Sequence, residues 1–181
     1  GWQYRTMPRV LLPVFVQMFL ASTLGATSAL LLSRKPGVHD PAAPDVRAAT
    51  TAAEAVALIG LIWVAFQGYA AFALTTMWTT GRSGLGAPYV YLELVGFVLT
   101  GIVATRAHAR LGRPAPRPFV AEHWRLGQFY RNPDDPALFV PTRSGSRWTL
   151  NFGRRGAVAL LGLILVMGVI GPTVVIGMAL R

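Results

Sequence analysis

Chemistry needs nucleophiles, acids, bases or metal ligands at workable spacing, and this chain offers few of them. The adjacent carboxylates Asp134 and Asp135 come nearest to a metal pair. They lack both the alternating acidic ligands of a calcium loop and a histidine close by. Turn formation and pairing with local arginines account for them more economically than an ion. His108 and His123 have no ligand partner three or four residues on, and His39 lies in a proline-rich stretch. The absence of cysteine excludes disulfides, thiolate catalysis and cysteine-bound zinc. No G-x-S-x-G elbow, Walker-type loop or H-E-x-x-H helix occurs. The expectation is a protein that is not an enzyme and carries no cofactor and no metal.

Three polar side chains stand out because their surroundings are apolar: Glu93, Gln17 and Gln67. An ionisable group inside a bilayer is costly and therefore a functional candidate. Glu93 lies one turn from Tyr89, beside Tyr91, and reaching the headgroup region is the simpler reading. Gln17 and Gln67 suit interhelical hydrogen bonds better than substrate binding. Together the three define the alternative function, a transport component with a polar path.

These residues must be positioned by apolar helices. The 181-residue chain is 53% hydrophobic and 13% charged, whereas soluble domains run near 45–50% and 25%. About 20 apolar residues in a helix cross a bilayer core. Four stretches qualify: Val10–Leu32, Ala53–Trp78, Tyr89–Thr105 and Gly156–Leu180. Helix is the economical conformation, since lipid offers the backbone no hydrogen-bond partners. The fold class is therefore an all-α membrane protein of about four transmembrane helices, with a small β- and turn-rich segment between the third and fourth. The expected division is a three-helix membrane region over 1–106, a basic aromatic-rich segment over 107–155 and a last helix over 156–181.

The connections differ in kind. Residues 33–52 read as a polar linker, and 79–88 as a short glycine-containing turn between Trp78 and Tyr89, which suit the interface. Ala21, Gly25 and Ala29 form a small-residue stripe expected to be a packing face of the first helix. Pro172, with Gly168 and Gly171, predicts a kink in the last. The net charge of +10 comes from cations lying between the apolar stretches, which points to anionic lipid and topology rather than nucleic acid. With four spans, thirteen cations fall on one side and four on the other. Segment 107–155 is then cytoplasmic in the cell membrane, and both ends of this chain are extracytoplasmic.

Within that segment, Gly112 to Pro118 reads as an extended tether. Asn132-Pro133-Asp134-Asp135 and Ser144-Gly145-Ser146 are turn signals, and Trp148 to Phe152 alternates as a strand does. The aromatic residues Trp124, Phe129, Tyr130, Phe139, Trp148 and Phe152 are expected to cluster. So small a core favours docking on lipid or on a membrane or cytoplasmic partner, with a second copy of the chain also open.

The pattern Trp124, Gly127, Phe129-Tyr130, Asn132-Pro133-x-Asp135-Pro136, Phe139-Val140, Arg143, Gly145 and Trp148-Thr149-x-Asn151-Phe152 resembles an uncharacterised bacterial family of unknown function. The resemblance covers about thirty residues. In that family the motif often follows a multi-helix module similar to the immunity membrane proteins that protect Bacillus-like cells from their own killing peptide. It implies a membrane protein with an immunity-like or signal-transducing role, and it supplies no catalytic residues. The family's extracytoplasmic domain is not visible here, so the chain is expected to be the C-terminal part of a longer protein.

Overall fold

The computed structural model describes residues 7–32, 44–114, 117–166 and 169. These are mostly helical. In chain order they form α1 (Met7–Leu32), α2 (Pro44–Thr80), α3 (Ala87–Leu111), β1 (Trp124–Arg125), β2 (Phe129–Tyr130), β3 (Phe139–Pro141), β4 (Trp148–Leu150) and α4 (Arg155–Leu165).

Two helices are longer than their apolar stretches. α2 takes in residues 44–52, which sequence assigns to the linker. Pro44 begins the helix, where its missing N–H costs nothing, and Asp45 complements the positive end of the helix dipole. Alanine then propagates the helix at Ala48, Ala49, Ala52 and Ala53. α3 runs past Thr105 to Leu111, and His108 and Arg110 in its last turn suit the negative end of its dipole. Charge ends an apolar stretch without ending a helix.

Among the described residues, three helices are long and apolar enough to cross a membrane: Val14–Leu32, Asp45–Thr80 and Ala87–Leu111. This is one fewer than the sequence predicts. The described part of α4 has 11 residues, about 17 Å of helix against a core of about 30 Å. Val169 apart, the expected span beyond residue 166, with Gly168, Gly171 and Pro172, lies outside the described residues, as does the 33–43 stretch of the linker with His39.

The chain divides into two compact units, Gly1–Gly25 with Ala55–Arg106, and Ala26–Glu54 with Ala107–Arg181. In the first, small residues admit large ones. Gly96 of α3 is buried, and a Cβ there would lie 3.7 Å from the Trp63 ring of α2. Trp63 donates its Nε1–H to Thr100 Oγ1 at 3.1 Å and meets Phe97 and Phe66 edge-on at 5.0 and 5.6 Å. Phe66 in turn packs on Tyr89 at 5.2 Å. Gly60 of α2 accepts Leu24 of α1, whose Cδ1 would lie 3.1 Å from a Cβ there.

The stripe predicted on α1 is not its buried face. Ala21, Gly25 and Ala29 are exposed, and Gly25 has no side-chain neighbour within 4 Å of its Cβ position. The buried positions are Thr23, Thr27 and Leu31, one face at four-residue spacing. The reason is complementarity. Gly60 on α2 supplies the close approach, so α1 contributes the side chain that fills it.

In the second unit, β1 pairs antiparallel with β2 in the register Trp124↔Tyr130, and β3 with β4 in the register Phe139↔Leu150. A parallel bridge between Tyr130 and Asn151, with Phe152 N–H donating to Tyr130 O at 2.9 Å, joins the two hairpins. Ala137, Leu138, Val140, Ala157 and Leu160 are buried.

Candidate functional site

The motif residues converge on one side chain. Asn151 follows β4 and is 0% exposed. Its Oδ1 accepts from the backbone N–H of Asn132 and of Gly153, both at 3.0 Å. Its Nδ2 donates to Asn132 O at 2.8 Å, and at longer range to Ala137 O (3.2 Å) and Asp135 O (3.3 Å). An amide with one acceptor oxygen and two donor hydrogens is the side chain that satisfies both kinds of backbone group at once. Asn151 therefore clamps the 132–137 loop onto the end of β4.

The loop is also tied from within. Asn132 Oδ1 accepts from Asp134 N–H at 3.0 Å, and Asp135 Oδ1 from Ala137 N–H at 2.9 Å; these are the side-chain-to-backbone turns that Asn and Asp favour. Asp135 Oδ2 accepts from Tyr130 Oη–H at 3.0 Å and from Arg117 Nη1 at 2.9 Å. Both Asp135 oxygens thus have protein partners, while Asp134 is exposed. Burial is the main cause of a raised Tyr130 pKa. The Asn132 amide opposes that shift; the Asp135 carboxylate adds to it by its charge and as hydrogen-bond acceptor, and Arg117 opposes it.

Gly153 and Arg154 complete the clamp. A Cβ on Gly153 would lie 2.4 Å from the Asn132 carbonyl carbon, inside contact distance of backbone that cannot move aside. Arg154 donates Nη1 to Pro136 O. Sequence reasoning passed over Arg117, Gly153 and Arg154. Gly153 carried a signal, a glycine directly after Trp-Thr-x-Asn-Phe, whereas the separation of 18 positions between Arg117 and Asp135 hides that pair.

The aromatic residues form pairs rather than one cluster. Trp124 meets Tyr130 at 5.4 Å and Phe129 meets Phe152 at 5.6 Å. Phe139 and Trp148 are half-buried on the β3–β4 hairpin, and the Trp148 indole Nε1 is buried without an acceptor among the described residues. At the tip of the β1–β2 hairpin, Leu126 and Gly127 have φ of 50° and 71°, and Gln128 N–H closes the turn on Arg125 O at 3.2 Å. This is the double left-handed turn that makes Gly127 necessary. Leu126 is 90% exposed there. Pro133 and Pro136 flank the turn acids.

The intramembrane candidates lie in the first unit. Gln17 on α1, Gln67 on α2 and Glu93 on α3 are each half-buried. Among the described residues no hydrogen bond joins them, and no group of three metal-ligating side chains occurs.

Helices of membrane length together with a small β segment, clamped inside and arginine-covered outside, define the class of this protein. A family of unknown function, DUF5808, matches residues 133–158, from the clamped turn through both strands of the β3–β4 hairpin into α4. No curated protein and no solved structure matches the chain.

Proposed function

We propose that this chain is a non-enzymatic, multi-pass protein of the cell membrane whose segment 107–155 works at the cytoplasmic face, on anionic lipid or on a partner protein. The fourth span expected from the sequence over 156–181 makes the number even and leaves both ends outside. The observation that carries this reading is the division of polar groups. Asn132, Asp135 and Asn151 are engaged internally, whereas Arg113, Arg125, Arg131, Arg143 and Arg147 are exposed. The only ion pair among the described residues of the segment is Arg117–Asp135. Uncompensated positive charge beside membrane-length helices suits an anionic leaflet, where each arginine contributes about 1 kcal/mol. The resemblance to a family that carries immunity-like modules supports an immunity-like or signal-transducing role.

Because Asn151 is wholly inside, capture of a partner falls to the exposed surface around it. Orientation is the sharpest test. The chain has no native cysteine, so Ser144→Cys places a single thiol on the exposed β3–β4 loop. A membrane-impermeant maleimide should leave it unlabelled in intact cells and label it after permeabilisation. Labelling in intact cells overturns the orientation.

A further inference from the structure

We infer that the end of α3 and the β3–β4 loop together form a site for the phosphate of an anionic lipid headgroup; the inference rests on the membrane reading above and names its ligand. A cavity of about 660 Å³ opens there, within the second unit. Its lining includes His108, Leu111, Arg113, Ser146, Arg147 and Trp148, and no carboxylate. Arg113 and Arg147 are exposed, and neither has a carboxylate partner among the described residues. Trp148 shares that lining, and its indole N–H is buried with no acceptor among the described residues.

The donor set selects the ligand. Two guanidinium groups and an imidazole offer hydrogens, and the guanidinium groups positive charge, to a group made of acceptor oxygens, which is what a phosphodiester is. The α3 carbonyl ends oppose an anion, but the cations beside them outweigh a partial charge. Depth agrees with chemistry. Residues 87–105 of α3 carry the apolar run, about 28 Å of helix and close to the thickness of the hydrocarbon core. In a spanning α3, residues 106–113 then stand at headgroup level, and the aliphatic Leu111 faces the same cavity. Free phosphate shares the oxygens but lacks the acyl chains that hold a lipid at this depth.

The full-length chain, purified in detergent, is titrated with phosphatidylglycerol and with phosphatidylcholine and read by native mass spectrometry. The expected result is preferential retention of phosphatidylglycerol, weakened about ten-fold in Arg113→Gln/Arg147→Gln and unchanged in Arg82→Gln, which lies on the α2–α3 loop. Both arginines are exposed, so their loss leaves the fold intact. Equal retention by wild type and the double variant overturns the site, as does displacement of the lipid by equimolar inorganic phosphate. If the chain is indifferent to these arginines yet leaves the membrane only with detergent, the site fails and the membrane reading stands. If it is soluble without detergent, that reading itself fails.

Discussion

At the scale of single residues, the second unit depends on an amide that touches no solvent. Asn151 links the backbone of residues 132, 135 and 137 on one side to that of Gly153 on the other. Its two donor hydrogens serve three carbonyls, so the contacts at 3.2 and 3.3 Å share one hydrogen while that at 2.8 Å takes the other. Asn151→Ala leaves two N–H groups and three carbonyls without this partner and opens a void. The expected loss is about 3 kcal/mol or more, read as a lower thermal midpoint and faster proteolysis within 112–155. Asn151→Asp should not rescue it, because a carboxylate accepts from the N–H groups but faces three carbonyls with charge. A melting curve for Asn151→Ala that overlays wild type would remove the clamp from this account.

At the scale of elements, hydropathy located the helices and misjudged their ends. A hydropathy window sees the apolar run of α3 stop at Thr105, but the backbone continues because His108 and Arg110 suit its last turn. In the same way Pro44 and Asp45 look like linker and act as a helix start. The turns and the β4 alternation were legible because Asn, Asp, Pro and Gly bias the backbone locally. The clamp was not, since spacing marks Asn151 as important without saying whether it faces a partner or the core. Nor could a small-residue stripe reveal which helix supplies the gap, and here Gly60 and Gly96 do so rather than Gly25. The β1–β2 hairpin holds a local conflict of its own. Leu126 sits at φ 50° with 90% of its surface exposed, so it bears the left-handed penalty without packing to offset it. Leu126→Asn, a residue tolerant of that conformation, should raise stability by about 1 kcal/mol, whereas Leu126→Ala keeps the penalty. Equal thermal midpoints for the two variants would show that the turn carries no strain.

At the scale of the whole molecule, apolar surface decides the solvent. α1 exposes Val14, Phe15 and Met18, α2 exposes Leu58, Leu61 and Phe72, and α3 exposes Val90, Leu94, Phe97 and Val98. Soluble monomers scatter exposed apolar side chains and keep contiguous patches to a few hundred Å². Here consecutive turns of three membrane-length helices present them, and exposure of each large side chain to water costs about 1.5–3 kcal/mol relative to burial. Summed along the helices, that cost is what an apolar solvent would remove, which is the environment the proposed membrane reading gives these faces. Lipid removes the cost without any protein partner. On the proposed membrane reading, the boundary between lipid and water falls near Arg106, where α3 turns from apolar to basic. Alkaline carbonate strips proteins held by charge alone and leaves those held by buried apolar helices. The full chain expressed in cells should therefore stay in the membrane pellet through both a carbonate wash and high salt, and should leave it only with detergent. Release by salt or carbonate would mean that the arginines, not the helices, hold the chain to the membrane.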